Sequence, residues 1–264
     1  MHQTNRHTLR RLLLPGLALL LTLFLCLAAC LLCTGSIAAL LPPLASCAPT
    51  SQPTASADPI SPPFTRVVLD AGHGGEDSGA QSAAGLYEKD VNLAVAFCLR
   101  DYLEAAGIPT VMTRTQDRLL YNPTDSYRGK KKILDLAARL EIARSVPDSL
   151  FVSIHMNSFP QAKYSGIQVW YSPADPESAR VASGIQTQAL RLAPDNRRKP
   201  QAAGSNIFLL DRLDSPAVLV EGGFLSNPEE AARLGTEAYR RRLAFVLFLA
   251  IMQEMQEPTG TGIG

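Results

Sequence analysis

Beyond residue 62 the chain has only two histidines, His73 and His155, and each follows a run that reads as a strand. His73 sits in Ala71-Gly72-His73-Gly74-Gly75, after the β-rich run Arg66-Val67-Val68-Leu69-Asp70. His155 closes the apolar run Leu150-Phe151-Val152-Ser153-Ile154 and precedes Met156-Asn157-Ser158. One histidine at a strand end is usually structural. Two at equivalent ends of one sheet can converge, and imidazole is a good zinc ligand. A hydrolytic zinc site needs a third protein ligand and an open position for water. Two carboxylates are candidates. Glu88 opens a helical segment just after the His73 loop, where the helix dipole also favours an acid. Glu221 ends the apolar strand Val218-Leu219-Val220, where a carboxylate is costly without a partner. Residue type and spacing leave the choice between them open.

The elements that must position these groups are legible as an alternation. Strands are expected at 66–70, 109–113, 150–155, 166–171, 207–210 and 217–221. Helices are expected at 88–106, 130–144 and 175–192, with one or two more within 228–256. In the first helix Val91, Val95, Cys98, Tyr102 and Ala106 recur at helical spacing and Gly107 stops it; in the second, Ile133, Leu136, Ala137 and Leu140 share a face. Alternating strands and helices predict an α/β fold: a three-layer sandwich with a largely parallel twisted sheet flanked by helices, preceded by one N-terminal hydrophobic segment. In such sheets the site gathers at the carboxyl ends of the strands, where both histidines belong.

Composition sets the outer bounds. Of 264 residues, 46% are hydrophobic and 19% charged, which permits a sizeable core and excludes whole-chain disorder. The net charge of +1 gives no sign of a nucleic-acid partner. Three of the 25 basic residues, Arg6, Arg10 and Arg11, precede an uncharged stretch over 12–65 broken only by Asp58; the other 22 face 24 acids. The stretch 12–32 is almost wholly apolar and is long enough to cross a bilayer, with the basic residues on the cytoplasmic side. Residues 1–41 therefore read as a signal anchor or a lipoprotein signal, with Cys30 and Cys47 each in a Leu-small-small-Cys context; an ordinary cleaved signal is the third option. All three export the remainder of the chain. Residues 42–63 read as a Pro/Ser-rich linker, 64–257 as the folded domain that carries the candidate site and 258–264 as a tail. Cys98 is the only cysteine after residue 47, so no disulfide framework is expected within the domain.

Four blocks, taken together, resemble the zinc-dependent N-acetylmuramoyl-L-alanine amidases of type 3. They are Val68-Leu69-Asp70-Ala71-Gly72-His73-Gly74-Gly75 with Asp77 and Gly79-Ala80; Glu88-Lys89-Asp90 with Asn92-Leu93; Ser153-Ile154-His155 with Asn157-Ser158; and Val220-Glu221 with Gly223-Phe224-Leu225-Ser226-Asn227. They stand in the family's order and cover nearly all of 66–256. The resemblance implies one zinc ion per chain held by His73, Glu88 and His155, with Glu221 as the catalytic glutamate. It implies supporting roles for Asp70, at the His73 loop, and for Asn157, beside His155. The segment from Arg198-Lys199-Pro200 to Asn206-Ile207 resembles the spore-cortex branch. One departure is Arg144, where the family often has Asn before the central strand.

The implied reaction is hydrolysis of the amide between N-acetylmuramic acid and L-alanine of the peptidoglycan stem peptide. Glu221 would take the water proton and return it to the leaving amine. Gly72, Gly74 and Gly75 would let the loop turn and leave room for a glycan strand. Two other classes fit parts of the pattern: a non-catalytic peptidoglycan-binding protein on the same fold, and a zinc carboxypeptidase acting within the stem peptide. The partners implied are peptidoglycan and, through the N-terminal segment, the membrane. An accessory activator is compatible with the sequence, although no motif marks one.

Overall fold

The computed structural model describes residues 62–121 and 130–256; the expected anchor at 1–41, nearly all of the 42–63 linker and the 258–264 tail lie outside the described residues. Six strands form one sheet: β1 (Arg66–Ala71), β2 (Thr110–Met112), β3 (Ser149–Asn157), β4 (Gln168–Tyr171), β5 (Gln201–Ala202) and β6 (Ala217–Phe224). Among the described residues six helices accompany them: α1 (Glu88–Ala105), α2 (Lys131–Arg144), α3 (Pro176–Ala189), α4 (Phe208–Arg212), α5 (Pro228–Leu234) and α6 (Glu237–Gln256). The order across the sheet is β2-β1-β3-β6-β4-β5, and every pairing is parallel except β4 with β6.

Alternation of side chains along the strands splits the core in two. Val67, Leu69, Val152, Ile154 and Val220 pack with Val95, Leu99, Ile185, Leu243 and Leu247 from α1, α3 and α6. Val68, Phe151 and Ala217 point to the other face and pack with Leu140 of α2 and Leu210 of α4. Those two helix layers around one sheet are the expected three-layer sandwich. Among the described residues no helix is long and apolar enough to cross a membrane.

The chain leaves β1 for β2 on one side and returns by α2 to place β3 on the other. The β1–β3 boundary is thus a topological switch point, where a crevice opens at the carboxyl ends. One expected strand is a correction: 207–210 is not extended but enters the short helix α4. Its apolar residues satisfy a strand pattern as well as a helix pattern, and packing of Leu209 and Leu210 beneath the sheet decides the outcome. The departure at Arg144 has a local role, its Nη2 donating to the Arg212 carbonyl at 2.8 Å where α4 ends.

Candidate metal centre

His73 follows β1 by two residues, and His155 lies within β3, two residues before its end. β3 runs further than the sequence suggests because Ile154 and His155 still pair with Val220 and Glu221 of β6, and Asn157 with Phe224 after a register shift. Glu88 is the first residue of α1, carried to the same end of the sheet by the turn that follows His73. One potential ligand atom from each of His73, Glu88 and His155 lies within 4.8 Å of the others. Glu88 Oε1 is 3.2 Å from His73 Nε2 and 2.9 Å from His155 Nδ1. The rings of the two histidines meet edge to face at 4.9 Å.

The loop geometry has a steric cause. A Cβ at Gly72 would collide with the His155 ring, so only glycine lets β1's exit pass beneath that imidazole. His73 itself takes a left-handed backbone, φ 62°, a conformation non-glycine residues adopt only when the surroundings enforce it.

Two buried arginines supply that enforcement. Arg139 of α2 donates from Nη1 to Ala71 O at 2.8 Å and from Nη2 to His73 O at 2.7 Å. Arg114, just beyond β2, donates from Nε to Ala71 O at 2.8 Å and from Nη2 to Gly72 O at 3.1 Å and Lys89 O at 2.8 Å. Lys89 continues the brace, its Nζ reaching Gly75 O at 2.9 Å and Asp117 at 2.7 Å. Sequence reasoning missed both arginines. The helix α2 is rotated from the expected face: Ile133 is 60% exposed, whereas the Asp135/Arg139 pair at i, i+4 is buried with a 2.7 Å bond.

Asp70 supports the loop, but not by touching His73. Its carboxylate accepts from Arg139 Nη1 at 2.6 Å and from the hydroxyls of Thr113 and Ser153 at 2.7 Å each. Burial opposes its ionisation, yet the Arg139 charge and the two hydroxyls prevail and hold its pKa below the usual range. The acid beside His73 is Asp77, whose Oδ2 lies 2.9 Å from Nδ1, near enough for charge attraction but out of line for a full hydrogen bond. The Asn157 carbonyl accepts Leu225 N–H at 2.8 Å, and among the described residues no hydrogen bond joins its side chain to His155.

Electrostatics separates the two glutamates. Glu88 accepts Ala80 N–H at 2.8 Å and Met156 N–H at 3.1 Å besides facing both histidines. Burial alone would raise its pKa; hydrogen bonds and charge from His155 and His73 pull it far below the ordinary range. Glu221 is pushed the other way, up to about 7, first by burial, with the Glu88 charge adding and the two histidines opposing. Its Oε2 is buried and has no hydrogen-bond partner among the described residues.

A buried orphan oxygen beside a His-Glu-His cluster is the arrangement expected where a cation and water belong. Two imidazoles and one carboxylate suit zinc, and the chemistry of the donor set therefore fits that metal.

Residues 67–253 match the N-acetylmuramoyl-L-alanine amidase family. The germination-specific N-acetylmuramoyl-L-alanine amidase of Bacillus subtilis is 37% identical over 191 residues, spanning 72% of this chain and 80% of that protein. The CwlD amidase of Clostridioides difficile, solved in complex with the GerS lipoprotein, is 35% identical with a TM-score of 0.69, over 72% of this chain and 98% of that one. The amidase AmiC2 of Nostoc punctiforme superposes with a TM-score of 0.63 at 30% identity, over 75% and 99%.

Proposed function

The chain belongs to the N-acetylmuramoyl-L-alanine amidase family, is a cell-wall hydrolase acting on peptidoglycan, and from that premise we propose how its residues divide the work. His73, Glu88 and His155 hold one zinc ion, and Glu221 is the general base. The observation that carries this reading is the contrast between the two glutamates: one saturated with donors and ionised, the other half-buried with its Oε2 buried and orphaned, and poised near neutrality.

Zinc, when bound there, would lower the pKa of water toward about 7 and polarise the scissile carbonyl. The rest is done by side chains. Glu221 sits directly opposite His155 on the neighbouring strand, so its carboxylate faces the same space as the imidazole. It accepts a proton from the attacking water and delivers it to the nitrogen of L-alanine as the amide breaks. Glu88, held by two backbone N–H groups, keeps its position while the proton moves. Arg139 and Arg114 hold the His73 loop against recoil.

Export of the domain by residues 1–41, as an anchor or a lipoprotein, belongs to the same proposal, because the substrate lies outside the cytoplasm. So does an accessory partner, supported by the solved complex of the C. difficile relative with a lipoprotein. The test is incubation of the full chain with purified peptidoglycan, with and without a chelator, and mass spectrometry of the fragments. Chelator-sensitive release of stem peptides with a new L-alanine amine is expected. Release of D-alanine instead would transfer the site to the carboxypeptidase class, and stoichiometric zinc without any release would leave a binding protein or one that needs its partner.

A further inference from the structure

The half of the sheet away from the histidines carries a cation without an acid beside it. Because β4 is antiparallel to β6, its first residues lie beside the carboxyl end of β6, with Gln168 opposite Glu221. The segment after α3 is pinned to that edge: Asn196 Nδ2 donates to Ile167 O at 2.8 Å and Gln168 Nε2 donates to Lys199 O at 2.8 Å. Arg198 is fixed between these anchors. Its Nε donates to Ser165 O at 3.1 Å, and its guanidinium lies 4.8 Å over the ring of Phe224. Among the described residues neither terminal nitrogen of Arg198 has an acidic partner.

The acids nearby are engaged or outward. Glu230 takes the N–H groups of Gly166 and Phe224 at 3.0 and 2.8 Å and lies 3.6 Å from Arg233. Asp195 lies 3.9 Å from Arg197. Glu229 stands exposed at the rim, at the start of α5. Together these side chains and Arg198 wall a cavity of about 510 Å³. On the same edge Tyr164 stacks on Phe224, and Phe159 meets Tyr164 edge-on at 4.9 Å, with Phe159 47% exposed and Tyr164 37%.

Resting on the amidase reading, we propose that Arg198 is a specificity-determining residue that receives a backbone carboxylate of the stem peptide, with the adjoining cavity taking the peptide. The reach agrees. Phe224 is three residues beyond Glu221, at most about 10 Å along a strand. An extended peptide covers at most about 3.3–3.6 Å per residue, so a carboxylate two or three residues down the stem arrives at Arg198 when the scissile amide lies at Glu221. A guanidinium presents a planar fork that a carboxylate matches with two parallel bonds. Stacking on Phe224 and the Ser165 bond fix that fork in advance, so little entropy is lost on binding.

The experiment uses the full chain, its Arg198→Ala and Arg198→Lys variants, and two soluble muramoyl peptides that differ only in whether the stem backbone carboxylates are free or amidated. The wild type is expected to favour the free acid at least tenfold in kcat/KM, chiefly through KM. Arg198→Ala is expected to lose that preference, the free-acid peptide losing at least tenfold more in kcat/KM than the amidated one, and Arg198→Lys to recover part of it. A wild type indifferent to amidation, or an Arg198→Ala variant slowed equally on both peptides, overturns the proposal. Calorimetry of both peptides with the same proteins separates this from the amidase reading. If the wild type cleaves neither peptide, an Arg198-dependent preference in Kd, or its absence, still decides the role of Arg198.

Discussion

On the β1–β3 wall of the crevice Asp70 and the two buried arginines are fully engaged, although His73 Nδ1 and Asn92 Oδ1 lack partners among the described residues, whereas the β6–β4 wall holds a carboxylate oxygen and a cation in reserve. Asp70 has three donors, Arg139 spans Asp70, Asp135 and two carbonyls, and Arg114 is bound entirely to backbone oxygens. Across the crevice, among the described residues, Glu221 Oε2 has no partner and Arg198 has no acid. A satisfied buried network rigidifies what it surrounds, and an unsatisfied group marks where something else must come. The difference teaches that metal geometry and substrate handling are assigned to separate walls. Breaking the first should cost metal and stability; breaking the second should cost turnover or selectivity with the metal retained.

The largest effect is expected from His155→Ala. With one of three ligands gone the variant should lose both zinc and activity, read by metal analysis of the purified protein. Full zinc occupancy would remove His155 from the ligand set and erase the distinction between the walls. Glu221→Gln comes next. It keeps the shape of the site without a base, so kcat should fall about 10²–10⁴-fold while zinc stays stoichiometric. Unchanged turnover would take the general-base role away from Glu221.

Arg139→Met tests the brace itself. Asp70, 1% exposed, would be left as an uncompensated buried charge, at a cost of about 3–5 kcal/mol in urea unfolding. Arg233→Met on the other wall removes a half-exposed cation 3.6 Å from Glu230 and should cost no more than about 1 kcal/mol. Equal losses for the two variants would show that the walls are braced alike.

The same contrast separates what was legible in the sequence from what was not. Most strands and the long helices were readable because hydrophobic periodicity is a local property, and the same patterns put His73 and His155 at strand ends; the division of roles between Glu88 and Glu221 came only from the family resemblance. The brace was not. Arg114 and Arg139 lie 42 and 66 residues from the carbonyls of Gly72 and His73 that they hold, and nothing in a linear pattern separates a buried arginine from a solvated one. Asp70 was recognisable as an acid at a strand end that supports the His73 loop, but its partner Arg139 lies 69 residues away on α2. Residues 207–210 failed for a different reason, since four apolar residues carry too little periodicity to tell helix from strand. Arg198 was legible only as part of a branch-like segment; its meaning depends on the antiparallel return of β4, which the sequence does not reveal.

The last test concerns acid stability, and it isolates Asp70 from the ligands. In the folded protein its pKa lies below the ordinary value, chiefly because the Arg139 charge and the Ser153 and Thr113 hydroxyls outweigh burial. The folded state therefore prefers the ionised form more strongly than the unfolded chain does. That contribution is complete above the unfolded pKa of about 3.9 and fades as pH falls through the lower folded value. Asp70→Asn should lower stability at neutral pH by about 1–3 kcal/mol, less than Arg139→Met because Asp135 still faces the guanidinium. Its unfolding free energy should approach that of the wild type only as pH falls from about 3.9 through the lower folded-state pKa, below which both proteins carry a neutral group at position 70. The comparison is made on chelator-treated protein, so that protonation of His73, Glu88 and His155 does not register as zinc release. Parallel curves for the two proteins down to the lowest pH would mean that Asp70 is not the ionised anchor of the brace, and that Asp135 alone holds Arg139 against the His73 loop.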